Sequence, residues 1–291
     1  MKDPSEPKIY YKGKFLKESE ACLSPFNRGF SFGDGVFETL RVYSGKVFRL
    51  KNHIQRLLQG LSILDIVPGM DIAAIENSVK SLIDANGLTN ASIKITAFRE
   101  ESPGLDPVSG SKACFLMTSS PFDFKRKSAS EAGISVGVVS IRRNQTSPHV
   151  SIKSLNYLEN LLGRREARDR GFDEALFLNN LEIVSEGSIS NIFIVRKSRL
   201  MTPPAETGIL EGITRAVVLE IAADYGINCC EKSFKMDAIL TADEVFMTNS
   251  LMEIIPVHTF EDKRIGKTCP GRMTADLMNR YREKVDKELF V

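Results

Sequence analysis

Apolar and polar positions alternate with a period of two over residues 8–16 and 35–50, which predicts strands, and Gly45 places a hairpin turn inside the second stretch. The spacing then changes to that of helices. Ile54, Leu57, Leu58, Leu61 and Leu64 mark a helix over 51–65, and Ile72, Ile75, Val79, Leu82 and Ile83 mark another over 71–85. Residues 91–98 and 113–118 read as strands around a turn-rich loop at 99–107. Further on, the pattern predicts strands at 134–140, 175–178, 191–195 and 245–248. It predicts helices at 155–170, 214–225 and 273–285. Gly171 and Gly226 stand where the first two of these should end. In the helix over 155–170, Leu155, Leu158 and Leu161 read as the core face, shared with Tyr157. Residues 121–130 are charged and serine-bearing and read as a linker. The fold class is α/β (α+β), with an N-terminal α/β domain over 1–120 and a C-terminal domain over 131–291.

Composition changes this picture little. A chain of 291 residues can bury one large core or two smaller ones. Its 42% hydrophobic and 26% charged content is ordinary for a globular protein. A net charge of +2 implies no nucleic-acid partner. Arg142-Arg143 and Lys125-Arg126-Lys127 read as solvated loop charge. No run of 18 apolar residues occurs and the first twenty residues are polar, so neither membrane span nor signal peptide is expected. Cys22, Cys114, Cys229, Cys230 and Cys269 show no C-x-x-C spacing, which suits reduced thiols in a cytoplasmic protein. His53, His149 and His258 are too scattered to suggest a metal site. His53, on the helical pattern shortly before Arg56, reads as a packing or supporting residue.

Candidate chemistry begins with Lys153, in Ile152-Lys153-Ser154-Leu155-Asn156-Tyr157-Leu158. A lone lysine means little among 39 Lys and Arg. Its order relative to other strings means more. Val184-Ser185-Glu186-Gly187-Ser188-Ile189-Ser190-Asn191 follows, then Gly212-Ile213-Thr214-Arg215 at the start of a helix. Upstream lie Phe26-Asn27-Arg28-Gly29-Phe30-Ser31-Phe32-Gly33-Asp34-Gly35-Val36-Phe37-Glu38 and His53-Ile54-Gln55-Arg56-Leu57. Downstream lie Phe246-Met247-Thr248-Asn249-Ser250 and Gly266-Lys267-Thr268-Cys269-Pro270-Gly271.

In that order these strings resemble the class IV aminotransferases, the fold type IV pyridoxal-phosphate (PLP) enzymes, over nearly the whole chain. That family includes branched-chain aminotransferases, D-amino acid aminotransferases and aminodeoxychorismate lyases. The resemblance implies a two-domain enzyme with PLP in the cleft between domains, working as a homodimer. It implies that Lys153 forms the Schiff base and that Glu186 holds the pyridine nitrogen. A carboxylate there keeps the ring protonated and electron-withdrawing. Ile213 and Thr214, with Gly212 before them, would take the phosphate on a helix N-terminus, where free N–H groups and the helix dipole favour an anion. Thr214 also suits an ordinary N-terminal cap. Arg56 would add a bidentate guanidinium. Asn249 and Ser250 fall where relatives supply a phosphate hydroxyl, and Ser188 and Ile189 belong to the same cofactor set. Leu210 matches a residue that packs on the ring, or packs simply in the core. Tyr157 either hydrogen-bonds the ring oxygen or packs. No P-loop string is present.

The substrate set implied by the same resemblance is Phe32, Thr39, Arg41, Lys94 and Arg99. Arg41, Lys94 and Arg99 are candidates for holding a carboxylate, or are strand-edge surface charges. Ser102-Pro103 is followed by Gly104-Leu105-Asp106, not by the Arg-x-His trap of D-amino acid aminotransferases. Ser92-Ile93-Lys94 replaces the Tyr-x-Arg of many branched-chain enzymes, whereas Glu38-Thr39-Leu40-Arg41 looks like the lyases. The expected activity is transamination between a small, branched-chain-like amino acid and a 2-oxo acid. The alternative is aminodeoxychorismate lyase, releasing 4-aminobenzoate and pyruvate, and a lesser one is a PLP-binding protein without catalysis.

Overall fold

The computed structural model describes residues 6–100, 104–108 and 110–291, apart from the side chains of residues 126, 129 and 130. Ser102 and Pro103 of the turn-rich loop therefore lie outside the described residues. The chain divides into two compact units. One comprises Met1–Phe122 with Ile152–Asn156, the other Asp123–Ser151 with Tyr157–Val291.

In the first unit, β1 (Lys8–Tyr11) and β2 (Lys14–Lys17) are followed by α1 (Arg28–Phe32), β3 (Gly35–Tyr43), β4 (Lys46–Val47), α2 (Leu50–Ile63), α3 (Ile72–Ala85), β5 (Ala91–Arg99) and β6 (Ala113–Pro121). Residues 8–16, expected as one strand, form a hairpin instead. Lys12 and Gly13 turn the chain through positive φ of 48° and 80°, a bend that period-two alternation does not register. The hairpin at Gly45 forms as expected, with φ of 82°. The strands make one antiparallel sheet in the order β2-β1-β6-β5-β3-β4. One face carries Val36, Leu40 and Val42 from β3 and Ile93 and Ile95 from β5, packed with Ile54, Leu57 and Leu61 of α2 and Ile75, Val79 and Leu82 of α3. The other face presents the intervening residues, among them Phe37, Thr39 and Lys94.

In the second unit, α4 (Phe124–Glu131) occupies most of the expected linker. There follow β7 (Ile134–Arg143), α5 (Leu158–Asp169), β8 (Glu174–Asn179), β9 (Val184–Gly187), β10 (Asn191–Arg196), β11 (Arg199–Thr202), α6 (Ile213–Asp224), β12 (Cys229–Glu231), α7 (Met236–Leu240), β13 (Glu244–Asn249), β14 (Glu253–Phe260), β15 (Lys263–Arg264) and α8 (Arg272–Phe290). The sheet runs β12-β11-β10-β13-β14-β7-β8-β9, with β15 on β14. It is mixed: β7 runs parallel to β8 and to β14, and β10 antiparallel to β13. Every residue of β8 is buried, as in a strand covered on both faces. Among the described residues no helix is long and apolar enough to cross a membrane.

One expectation about α5 fails. Leu158 and Leu161 are 66% and 58% exposed, and the helix buries Asn160, Gly163 and Ala167. The physical reason is close approach. A Cβ on Gly163 would stand 2.4 Å from Phe177 Cζ, so the helix seats its small residues, not its leucines, on the sheet. Tyr157 is the N-cap of this helix and not part of a leucine-lined core face.

Candidate active site

Lys153 belongs to the five-residue return of the chain into the first unit. That segment is stitched to the start of β3: Phe37 N–H donates to Lys153 O at 2.8 Å and Leu155 N–H to Gly35 O at 3.0 Å. Its neighbour Ile152 is buried in the core. The anchored backbone sends the Lys153 side chain over Phe37, with Nζ 4.6 Å from the ring centroid, and Lys94 Nζ approaches the same ring at 4.7 Å. Lys94 lies opposite Thr39 in the β3–β5 register. Lys153, Lys94, Phe37 and Thr39 are thus gathered on one face of the sheet.

Arg56, on α2, is turned to Glu38 of β3. Its Nε donates to Glu38 Oε1 at 2.7 Å and its Nη2 to Oε2 at 2.8 Å. His53, one turn earlier, places Nδ1 2.7 Å from Glu38 Oε2. Burial lowers the His53 pKa and outweighs the raising effect of Glu38. The ring is therefore neutral at pH 7, and because a carboxylate only accepts, Nδ1 carries the hydrogen. For Glu38, burial pushes the pKa up, yet Arg56 and then His53 together overcome it and hold the carboxyl down to about 2.

Two expected substrate arginines are committed elsewhere. Arg99 Nε donates to Asp34 Oδ2 at 2.9 Å, Nη1 to Asp65 O at 3.0 Å and Nη2 to Leu64 O at 2.6 Å. Arg41 is buried with its guanidinium 3.2 Å from the Phe122 ring centroid, and Nη1 donates to Val42 O. In this structure both guanidiniums are held by these partners within the first unit. Phe32 is half exposed at the end of α1 beneath the Arg28 guanidinium.

The second unit assembles a separate cluster. Glu186 lies in β9, just before the bend at Ser188-Ile189, and it is buried. Its Oε2 accepts from Leu210 N–H at 3.0 Å and from Asn191 Nδ2 at 3.3 Å. Asn191 Nδ2 also donates to Leu210 O at 2.8 Å. Two residues beyond Leu210, Gly212 is the N-cap of α6 and offers no side-chain cap to the helix. The first N–H groups of α6, at Ile213 and buried Thr214, are the ones a helix leaves without an internal partner. A Cβ on Gly212 would fall 2.1 Å from Asn191 Oδ1, so only glycine allows this close approach. Asn191 pairs in register with Thr248 of β13, whose Oγ1 is buried with no hydrogen-bond partner among the described residues. Next to it, Asn249 Oδ1 accepts from Leu251 and Met252 N–H and shapes the turn containing Ser250.

Tyr157 OH donates to Ser188 O at 3.1 Å, and Asn160 Nδ2 donates to the same oxygen at 2.6 Å. Burial first and the Glu186 charge second push the Tyr157 phenol up to about 12, so it is a neutral donor at physiological pH. Ser188 is fixed in turn by Glu174, which accepts from its N–H and hydroxyl. Ile189 is partly exposed beside it. Arg143 is no solvated loop charge: it is 4% exposed, and its Nη2 stands 3.6 Å from Glu186 Oε1. The sequence alone gave no site role to Arg143, Asn191, Thr248 or Glu38, although the last three stand in the quoted strings. Only for Glu38 was there a hint, a carboxylate at an inward position of an otherwise apolar alternation.

Taken within each unit, these groups are of the types needed by the phosphorylated pyridine that the sequence resemblance implies. A fixed buried carboxylate suits the ring nitrogen. An uncapped helix end and an unpaired buried hydroxyl suit a phosphate. A primary amine beside an aromatic ring suits the aldehyde.

Comparison with known proteins points the same way. A family model described as amino-transferase class IV matches residues 35–260. Aminodeoxychorismate lyase of Bacillus subtilis (strain 168) is 34% identical over 95% of this chain and 94% of its own. Among solved structures, the branched-chain aminotransferase of Thermoproteus uzoniensis with norvaline is 34% identical, covers 98% of this chain and 96% of its own, and superposes with a TM-score of 0.90. The branched-chain amino acid aminotransferase of Thermobaculum terrenum, in its PLP-bound holo-form, is 27% identical, covers 97% and 94%, and gives a TM-score of 0.88.

Proposed function

This chain belongs to the class IV aminotransferase family and is a pyridoxal-phosphate enzyme, and from that premise we propose that it moves an amino group between a small, branched-chain-like amino acid and a 2-oxo acid. The observation that carries the reading is the join of Glu186 to the start of α6 through Leu210 and Asn191. It sets a buried carboxylate and an anion-binding helix end two residues of backbone apart.

When bound, the cofactor supplies an aldehyde and an electron-withdrawing pyridine ring that accepts the electron pair of the substrate α-carbon. The chain's own residues do the rest. Lys153 Nζ would hold the cofactor aldehyde covalently, and its amine, when free, would serve as the base and acid that moves the substrate α-proton. Glu186 would keep the ring nitrogen protonated by charge attraction. Gly212, Ile213, Thr214, Thr248 and Ser250 would hold the phosphate. Tyr157 donates from a phenol that stays protonated. Phe37, Thr39 and Lys94 line the substrate side of Lys153, with the ammonium of Lys94 placed to receive a carboxylate.

A second reading is favoured by the 34% identity to aminodeoxychorismate lyase, equal to that with the T. uzoniensis enzyme. Both reactions use Lys153 for the same proton removal and diverge afterwards, through reprotonation in one and pyruvate elimination in the other. Purified protein offered a panel of L- and D-amino acids with 2-oxoglutarate, and separately aminodeoxychorismate, separates them by product mass. Rapid formation of 4-aminobenzoate overturns the transaminase reading, and no turnover of either kind favours a binding protein without catalysis. The homodimer is part of the proposal, supported by exposed apolar residues such as Leu158 and Leu161 on α5. A cytoplasmic location is supported by five free thiols. Sedimentation at assay concentration and cell fractionation test the two.

A further inference from the structure

Arg143 ends β7 in register with Asn179 of β8. Its guanidinium lies over the Phe177 ring, 4.3 Å from the centroid. Nη1 donates to Glu159 Oε2 at 3.1 Å and to Asn160 Oδ1 at 3.2 Å. Nη2 faces Glu186 Oε1 at 3.6 Å, and Nε is buried with no hydrogen-bond partner among the described residues. An aromatic platform, an amide and a carboxylate thus hold one end of a permanently charged group whose other end meets Glu186. Such a buried cation is costly to keep, and stacking on Phe177 with one half-exposed glutamate only partly offsets that cost. Glu186 is the remaining negative charge in reach.

We propose that Arg143 is a positioning residue that keeps the Glu186 carboxylate charged, so that the proton shared between Glu186 and the cofactor's ring nitrogen resides on the nitrogen. The proposal rests on the reading of Glu186 as the pyridine partner. Two states compete in such a pair: carboxylate with pyridinium, and carboxylic acid with neutral pyridine. They differ only in whether the ring nitrogen or the Glu186 carboxylate would bind one proton. Burial favours the neutral pair, because it disfavours charge. A guanidinium beside Oε1 reverses the preference by stabilising the anion and resisting its protonation. The other charges facing the cluster are consistent. Tyr157 is a neutral phenol, Glu159 is occupied by Nη1, and Glu174 pairs with Arg164 at 3.2 Å. Arg143 is the cation of this group whose guanidinium meets Glu186 Oε1. Asn160 couples the two sides of the cluster, accepting from Arg143 and donating to the Ser188 carbonyl that also receives Tyr157 OH.

The test uses holoenzyme loaded with pyridoxal phosphate labelled with nitrogen-15 in the ring, since protonated and free-base pyridine nitrogens give well separated resonances. Wild type is expected at the protonated position. R143Q and R143M are expected to move toward the free-base position, with kcat falling about ten- to a hundredfold, the range found when a partner behind a directly acting residue is lost. R143M keeps an unbranched side chain over Phe177, so loss of packing is not the variable. R143K, which retains a charge, is expected near wild type. A wild-type resonance in either neutral variant, or a free-base resonance in R143K, overturns the proposal; R143K carries the test by itself if neither neutral variant folds. E186Q is the reference. If E186Q leaves the resonance unmoved, the reading of Glu186 has failed; if E186Q moves it and the neutral Arg143 variants do not, only the role of Arg143 has.

Discussion

Replacing Glu38 with glutamine should destabilise the first unit by about 3 kcal/mol at neutral pH, and that loss should vanish in acid. Glu38 is fully buried, 2.7–2.8 Å from two nitrogens of Arg56 and from Nδ1 of His53. Its carboxyl is held down to about 2 from an ordinary 4.5. At about 1.4 kcal/mol for each unit of pKa, that difference is worth roughly 3 kcal/mol. The folded pKa is the lower one, so the stabilisation is complete above about 4.5 and disappears as pH falls toward 2. Glutamine preserves shape and one acceptor oxygen but leaves the Arg56 guanidinium opposite a neutral group, and breaking a buried pair in this way costs about 3–5 kcal/mol. His53 does not compensate, because burial keeps it neutral. Urea unfolding of wild type and E38Q at a series of pH values from neutral down to about 3 measures the effect. A difference below about 1 kcal/mol at neutral pH, or one that persists unchanged in acid, refutes the assignment of the charge to a buried, Arg56-paired carboxylate.

K153A should give a protein without the covalent, borohydride-reducible link and with turnover reduced by orders of magnitude; a yellow, reducible K153A would place that link on another lysine. Y157F should lower stability by about 1 kcal/mol through the lost bond to Ser188 O, and wild-type activity should show no limb from tyrosine ionisation below about pH 11, since the phenol titrates near 12. G187A should cost about 1–3 kcal/mol in thermal unfolding, because the new Cβ would sit 2.3 Å from Ser190 Oγ and 2.6 Å from Met247 Cε; a neutral result would mean that β9 shifts freely.

Local pattern was enough for the longer helices of the first unit. Ile75, Val79, Leu82 and Ile83 recur at helical spacing and all are buried in α3, because a surface helix must bury one stripe whatever it packs against. The order of Lys153, Glu186 and Gly212-Ile213-Thr214 was likewise legible in the chain, and the roles proposed for them rest on that order. Contacts across the sequence were not. Arg142 and Arg143 are adjacent and alike in composition, yet Arg142 reaches Glu182 at the surface while Arg143 lies buried against Glu186. The difference follows from which face of β7 each residue takes and what covers that face. Arg41 and Arg99 show the same dependence, as strand residues whose partners come from Phe122, Asp34, Leu64 and Asp65. Leu158 and Leu161 misled because Gly163 lets α5 approach Phe177 more closely on its small-residue face than apolar side chains permit. Sequence determined which residue types the proposed chemistry can draw on; tertiary structure decided which side chains within each unit are neighbours, because burial and charge pairing belong to contacts and not to positions along a chain.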